Sequence, residues 1–150
     1  MIRTDKRLRI CTTLLICNLA FIWGNSLLPG EISGALSNWL KGVLSALLGS
    51  SGEGGGGGLL RKLAHFTEFA CLGMCLTWRM GMLGKSSFRA VFLGAAAACV
   101  DETIQRFVPD RGPSIFDVGI DTCGVIAGMT LLLVGNYLIK RKKSFGGNTI

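Results

Sequence analysis

The chain has 150 residues, 49% of them hydrophobic, with a net charge of +7 and a mean hydropathy of +0.49. This apolar content exceeds what the core of a soluble domain of this length needs, so it predicts one domain, residues 1–150, with the lipid bilayer as its solvent. The basic residues lie at the ends of apolar segments rather than along one soluble face, which argues against nucleic acid as a partner.

Residues 8–28 form the first predicted transmembrane helix. The run LRICTTLLICNLAFIWGNSLL supplies about 20 mostly apolar residues, enough to cross roughly 30 Å of hydrocarbon. Basic residues precede it, but no clear small-residue cleavage site follows. An uncleaved span is therefore favoured over a signal peptide.

The segment 29–61 is the first predicted outer loop, and it has two parts. Apolar residues from Ile32 to Leu48 recur at helical spacing with polar residues opposite, which predicts an amphipathic helix. This helix would lie on the outer membrane surface, where Trp39 suits an interfacial depth, or pack as a lid over the bundle. The run SGEGGGGG, residues 51–58, lacks the GK[ST] ending of a phosphate-binding loop, so we interpret it as a flexible linker.

Two further segments, 62–80 and 88–108, are predicted to span the membrane although polar residues interrupt both. Each has an unbroken apolar part flanked by basic residues, so the polar positions are expected to be buried against other helices. The sequence VPDRG then predicts a tight outer turn. Ser114 and Asp117 have the S-x-x-D spacing of a capping box that begins the next helix.

The fourth predicted span, 117–139, contains a GxxxG pair, Gly124 and Gly128, which would let another backbone approach closely. With four spans, the basic groups before the first helix, between the second and third, and after the fourth fall on one side. The positive-inside rule then places both termini in the cytoplasm. We therefore predict an all-α, multi-pass protein of the cell membrane. The six cysteines fall inside spans, without CxxC spacing, and are interpreted as packing residues.

The acidic residues are distributed unevenly across this topology. Eight of the nine, all except Asp5, lie in the outer loops or the outer parts of helices. The pairs that share a helix face, being three or four residues apart, are His65 with Glu68, Asp101 with Gln105, and Asp117 with Asp121. These side chains are expected to face the bundle interior in one layer, in the outer third of the membrane.

Structural roles compete with functional ones at several of these positions. Glu102 and Arg106 form an i,i+4 pair whose charges would simply neutralise each other, and Asp117 is the acid of the capping box. A structural role is favoured for these three. Four others lack a local partner, and ionisable groups at membrane depth are costly, so a functional role is favoured over an interhelical hydrogen-bond network. These four are His65, Glu68, Asp101 and Asp121.

The chemistry of this cluster is left open by its residue types. A histidine among carboxylates can act as acid and base, so the catalytic candidates, if the protein is an enzyme, are His65, Glu68 and Asp101. The cations that could hold a phosphate or carboxylate at the rim are Lys62, Arg106 and Arg111. The four unpaired residues also offer N and O ligands to a metal, but with one histidine and no HExxH motif we expect neither metal nor cofactor.

Two stretches carry a family likeness. RKLAHFTEF, residues 61–69, resembles the K-x-x-H-F-x-E-[YF] motif of the VanZ-like membrane proteins. Residues 98–128, ACVDETIQRFVPDRGPSIFDVGIDTCGVIAG, resemble their second signature, D-E-x-x-Q-x-F-x-P-x-R-x-x-x-x-x-D, followed by a D/N-x-x-G helix. NSLLPGEISGALS resembles the segment that follows their first helix. Asp110 stands where Gly is common, and Asp121 where Asn is common, which adds a charge.

The resemblance implies a set of functional positions and a location. The signature positions are Lys62, His65, Glu68, Asp101, Glu102, Gln105, Arg111, Asp117 and Asp121. Of these, the expected substrate-binding residues are Lys62, Glu102, Gln105, Arg111, Asp117 and Asp121. The family's namesake is associated with lowered susceptibility to the glycopeptide antibiotic teicoplanin, which implies a cell-envelope function at the outer face of the membrane.

The predicted function is to bind an envelope amphiphile, and an extended form of this hypothesis adds chemical modification of the bound amphiphile. Membrane lipid is one expected partner, and a lipid-linked envelope precursor or a lipoglycopeptide is the other. One alternative is a membrane-embedded hydrolase or transferase that uses His65 with Glu68 or Asp101. Another is a structural or partner-binding module whose motifs lock the helices together. Whether the protein is an enzyme, and its oligomeric state, stay open.

Overall fold

The computed structural model describes residues 2–35, 38–39, 42 and 57–146. The helices with complete bounds are α1 (Ile2–Ser26), α2 (Gly57–Met82), α3 (Phe88–Gln105) and α4 (Ile115–Gly146). Within these described ranges there is no β-strand, so the predicted all-α class is confirmed. Each predicted span coincides with one of these helices, with ends that differ by up to seven residues.

Two helices are long and apolar enough to cross a bilayer: Lys6–Ser26 in α1 and Ile115–Lys142 in α4. Only 11% and 22% of their apolar windows are buried within the protein, so they are not the core helices of a soluble domain. Large apolar side chains such as Phe92 point outward, 76% exposed, while the Asp101 side chain is completely buried. This inverted distribution indicates a membrane protein.

The second helix, α2, is central and contacts the other three, most extensively α4. A Cβ atom added to Gly128 would overlap the backbone of Ala70, and one added to Gly124 would overlap the carbonyl of Phe66. The predicted close approach at this GxxxG pair is therefore confirmed. The contact fixes the depth of α4 relative to α2, and with it the position of Asp121 relative to His65.

On the buried face of each of these four helices, an apolar residue and a polar residue lie about one turn apart. The buried residue pairs, four apart, are Ile22 with Ser26, Phe69 with His65, Ala97 with Asp101, and Val125 with Asp121. Four residues correspond to about 6 Å along a helix. A buried polar layer therefore lies directly above the apolar core, at the end of the bundle where α1 and α3 end and α2 and α4 begin.

The first outer loop is described only in part. Residues 30–35, 38–39 and 42 are helical, in agreement with the predicted amphipathic helix. Ser33 is buried, whereas Ile32 and Trp39 are exposed. The rest of that helix and residues 51–56 of the predicted linker lie outside the described residues, and α2 begins at the last two residues of that linker.

The two outer loops contact each other. The Gly30 N–H donates a hydrogen bond to the Pro109 carbonyl at 3.2 Å, and a Cβ on Gly30 would overlap the backbone of Asp110. Asp110 has φ 59°, a left-handed conformation that aspartate tolerates better than most residues. This contact holds the predicted outer turn above the polar layer.

Candidate functional site

Three helices bring His65, Asp101, Gln105 and Asp121 together, a group called here the polar cluster. The Gln105 Nε2 donates a hydrogen bond to Asp101 Oδ2 at 2.8 Å, and His65 Nδ1 lies 3.8 Å from the same oxygen. One nitrogen or oxygen each of His65, Asp101 and Asp121 lie within 4.8 Å of one another. Residues far apart in sequence thus meet where the helix-face pairing predicted that they would.

The first helix also contributes, which the sequence analysis missed. Asn25 Nδ2 donates to Glu68 Oε1 at 3.1 Å, and Ser26 Oγ accepts from Gln105 Nε2 at 3.4 Å. A signal was present, because the NSLLPGEISGALS segment used for the resemblance begins at Asn25. These bonds fix the outer end of α1 against α2 and α3.

Arg61 was missed as well, whereas its neighbour Lys62 was predicted. The Arg61 Nη2 donates to Gln105 Oε1 at 3.0 Å, so one guanidinium and one carboxylate hold opposite ends of the same amide. Lys62, half exposed at the rim, has its Nζ 3.4 Å from Asp117 Oδ1. Arg61 therefore orients the cluster, while Lys62 and Asp117 form an ion pair at its edge.

Arg111 comes from the outer turn and enters the site from above. Its side chain is 8% exposed, and Nη2 donates to the backbone oxygen of Asn25 at 3.1 Å. The other two nitrogens, Nε and Nη1, have no hydrogen-bond partner. Burial lowers the pKa of Arg111 from its ordinary value, but a guanidinium stays charged at physiological pH. It is therefore suited to receive an anion.

The contacts of Glu102, Arg106 and Asp117 differ from those that the sequence predicted. The Ser114 N–H, which a capping box would pair with Asp117, instead donates to Glu102 Oε2 at 2.8 Å. That bond closes the hairpin between α3 and α4 and gives Glu102 a structural role other than neutralising Arg106. Arg106 is exposed and lines none of the cavities found among the described residues near the cluster.

Several buried polar atoms of the site have no hydrogen-bond partner. Both carboxylate oxygens of Asp121, Oδ1 of Asp101, Nδ1 of His65 and Oε2 of Glu68 are in this state. Buried polar groups are normally paired, because an unpaired one costs about 1–3 kcal/mol or more if charged. A hydrogen-bond network that only locks helices accounts for Gln105 and Arg61, but it leaves Asp121 unexplained.

A cavity of about 450 Å³ between α1 and α2 leads to the site. Its apolar wall includes Phe21, Leu28 and Leu60, and its polar end contains His65 and Glu68. A second cavity of about 10 Å³, the space of about one water molecule, lies beside Asp121, His65 and Gln105. The site thus combines a groove with an apolar wall and a polar end.

Comparison with known proteins gives one match. The family model described as VanZ/LLP1 matches residues 10–138, which include most of α1, the whole of α2 and α3, and α4 as far as Leu138. No curated protein and no solved structure matches the chain.

Proposed function

The chain belongs to the VanZ/LLP1 family, and on this basis we propose that it binds a cell-envelope amphiphile at the outer face of the membrane. The observation that carries the proposal is the groove of about 450 Å³ that runs from an apolar wall to His65 and Glu68, each of which has a buried polar atom without a partner. Hydrocarbon would occupy the groove, and an anionic headgroup would lie at its polar end. Lipid-linked envelope precursors and lipoglycopeptides both have this chemistry.

Two arginines near the polar end favour an anionic headgroup. Arg111 enters the site from above and does not line the groove, but it has two unpaired nitrogens with which to bind phosphate or carboxylate oxygens of a headgroup in bidentate fashion. Arg61 lines the groove next to Glu68 and His65. The association of the family's namesake with teicoplanin is consistent with a ligand of this kind, and we extend to this chain a role in lowering susceptibility to that antibiotic.

The topology that we propose has four spans, with both termini in the cytoplasm and the polar cluster outside. Basic residues support it, because Arg79, Lys85 and Arg89 lie at the end of the bundle opposite the cluster. The described part of the first outer loop agrees, since Ser33 faces the protein while Ile32 and Trp39 face outward. That orientation favours a helix on the membrane surface over a lid.

Reporter fusions would test this topology. Alkaline phosphatase fused after residue 52 or after residue 112 is expected to be active, because the enzyme folds only outside the cytoplasm. Green fluorescent protein fused after residue 84 or residue 150 is expected to fluoresce. The fusion after residue 84 is decisive, since a protein with only the two strongly apolar spans would export that point. Alkaline phosphatase fused after residue 84 should therefore be inactive, and activity of that fusion would refute four spans.

The binding proposal is tested by lipid identification on purified protein. Native mass spectrometry is expected to show undecaprenyl phosphate or teicoplanin retained, and the neutral alcohol undecaprenol retained much less, because the alcohol lacks the anion for Arg111. Equal retention of phosphate and alcohol would contradict a headgroup site. Cells with His65→Ala or Asp101→Asn, at normal membrane levels, should regain teicoplanin susceptibility.

A second candidate function is catalysis at the same place. The Gln105 amide orients Asp101, whose Oδ2 lies 3.8 Å from His65 Nδ1, so proton transfer between them needs a shift of about 0.6 Å or one bridging water. Hydrolysis or group transfer on the bound amphiphile would use this pair, with Glu68 as the alternative carboxylate. Purified protein that shows no turnover of polyprenyl phosphates or phospholipids, with or without divalent metal, would exclude it for those substrates. If the motifs only lock the helices together, variants at these positions should lose thermal stability in proportion to their loss of activity.

A further inference from the structure

The polar cluster contains three possible metal-ligand side chains, each with at least one buried N or O atom that no hydrogen bond in the described structure accounts for. His65 comes from α2, Asp101 from α3 and Asp121 from α4, and one N or O atom of each lies within 4.8 Å of the others. Asp121 is 1% exposed, and neither of its carboxylate oxygens has a partner. From this geometry we propose that these three residues bind a divalent transition-metal cation, Zn²⁺ or Mn²⁺.

Charge balance supports a divalent ion. Two buried carboxylates with a neutral imidazole carry two negative charges, and no lysine or arginine in the described structure forms an ion pair with either carboxylate. Lys62 pairs with Asp117, Arg61 donates to Gln105, and Arg111 donates to the Asn25 backbone. Isolated buried charges are costly unless they are paired or bind a metal. One divalent ion would neutralise both carboxylates.

The distances are compatible with direct coordination. Ligand atoms about 2.1 Å from a tetrahedral ion lie about 3.4 Å apart, so from 4.8 Å each side chain needs to move by less than about 1 Å. The adjoining cavity of about 10 Å³, lined by His65 and Asp121, offers the space. No larger rearrangement of the helices is required.

The surrounding bonds orient the ligands as in known metal sites. Asp101 Oδ2 is held by Gln105 Nε2 at 2.8 Å, which leaves Oδ1, an unpartnered atom, to face an ion. Gln105 is itself held by Arg61 at 3.0 Å. Second-layer hydrogen bonds of this kind fix ligand orientation and tune affinity. No metal was expected from the sequence, on the ground of a single histidine and no HExxH motif. Spacing alone could not show that α2, α3 and α4 bring these atoms together.

The donor set narrows the choice of metal. Imidazole suits zinc and other transition metals, carboxylates also suit Mn²⁺, and Mg²⁺ prefers an octahedron of oxygens. Three protein ligands leave at least one coordination position for water or a ligand oxygen. A headgroup oxygen of the amphiphile could take that position, an extension that rests on the proposed function, whereas metal binding itself does not.

The test uses the purified full-length protein in detergent, without added amphiphile, treated with EDTA and desalted. Titration with Mn²⁺, followed by the free-ion EPR signal, is expected to show about one bound ion per chain, and Mn²⁺ or Zn²⁺ should raise the Tm. Asp121→Asn should lose the Tm rise and at least about ten-fold in affinity. Asp110→Asn, which changes an exposed acid of the outer turn, should retain both.

Two further comparisons keep the test decisive. In EDTA, Asp121→Asn should match or exceed the wild-type Tm, because it removes a buried charge, and this shows that the variant folds. His65→Gln provides a second ligand variant. The six free cysteines can bind Zn²⁺ in every variant, so the measured quantity is the difference from wild type. If wild type and Asp121→Asn bind Mn²⁺ equally, or neither does, protons rather than a metal balance the carboxylates and the proposal is wrong. Metal binding without amphiphile binding would refute only the proposed function.

Discussion

Replacing Gly128 with leucine is expected to lower the free energy of unfolding by about 3 kcal/mol or more. Even a Cβ atom there would overlap the backbone of Ala70, so a larger side chain must force α4 away from α2. That movement would also separate Asp121 from His65, since each lies within two turns of the contact. Thermal unfolding of the detergent-purified variant, followed by tryptophan fluorescence, measures the loss.

Gly135 offers a matched control on the same helix. A Cβ added to Gly135 meets nothing within 4 Å, so Gly135→Leu adds the same apolar volume without a clash. Its Tm is expected to stay close to that of the wild type. Leucine is also a better helix former than glycine, so the change itself does not weaken α4. If both leucine variants were equally destabilised, the effect would come from a larger side chain anywhere on α4 and not from the contact between α2 and α4.

Replacing Arg111 with alanine is expected to weaken binding of an anionic amphiphile by about 10- to 100-fold, the value of one or two hydrogen bonds to a charged group. The reason is that Nε and Nη1 are buried, charged and unpartnered, so that a headgroup can use both. The affinity of Arg111→Lys should lie between those of the wild type and Arg111→Ala, because lysine keeps the charge but loses the bidentate geometry. Native mass spectrometry with undecaprenyl phosphate measures the affinity of each variant relative to the wild type.

The control for charge is Arg106→Ala, five residues earlier and exposed. It removes the same charge from the same outer end, and we expect a change of less than about two-fold, because exposed charges are screened by solvent. The Tm of Arg111→Ala must be measured in parallel, since Nη2 also donates to the Asn25 backbone. Equal losses in the two variants would indicate general attraction to a basic surface, and would contradict a site at Arg111.

Much of the fold could be predicted because it depends on local patterns. Apolar length located α1 and α4, and the GxxxG spacing predicted the contact at Gly124 and Gly128. The three- and four-residue spacings placed Asp101 with Gln105 on one face, and the antiparallel order of helices then brought them to His65. Periodicity and topology together were enough for this part of the cluster.

The remaining residues could not be predicted because their roles depend on partners distant in sequence. Asn25 and Arg61 begin two of the segments that carry the family resemblance, but polar residues are common at helix ends, so spacing and periodicity do not distinguish either residue from an ordinary flanking position. Glu102 has a local candidate partner in Arg106, but the hairpin brings the Ser114 N–H closer. The i,i+4 spacing favoured the pair of Glu102 with Arg106. The bond from Ser114 to Glu102 depends on how the turn folds back, which the spacing does not reveal.

The change from apolar to polar residues within one turn of α1, α2, α3 and α4 gives the site an apolar floor. Ile22, Phe69, Ala97 and Val125 are buried together directly beneath the polar cluster. If the site binds as proposed, ligands would reach His65 and Asp121 from the outer end of the bundle and from the lateral groove, because the described side chains directly beneath them are apolar. Occupancy of such a site would follow the concentration of the ligand on the outer side.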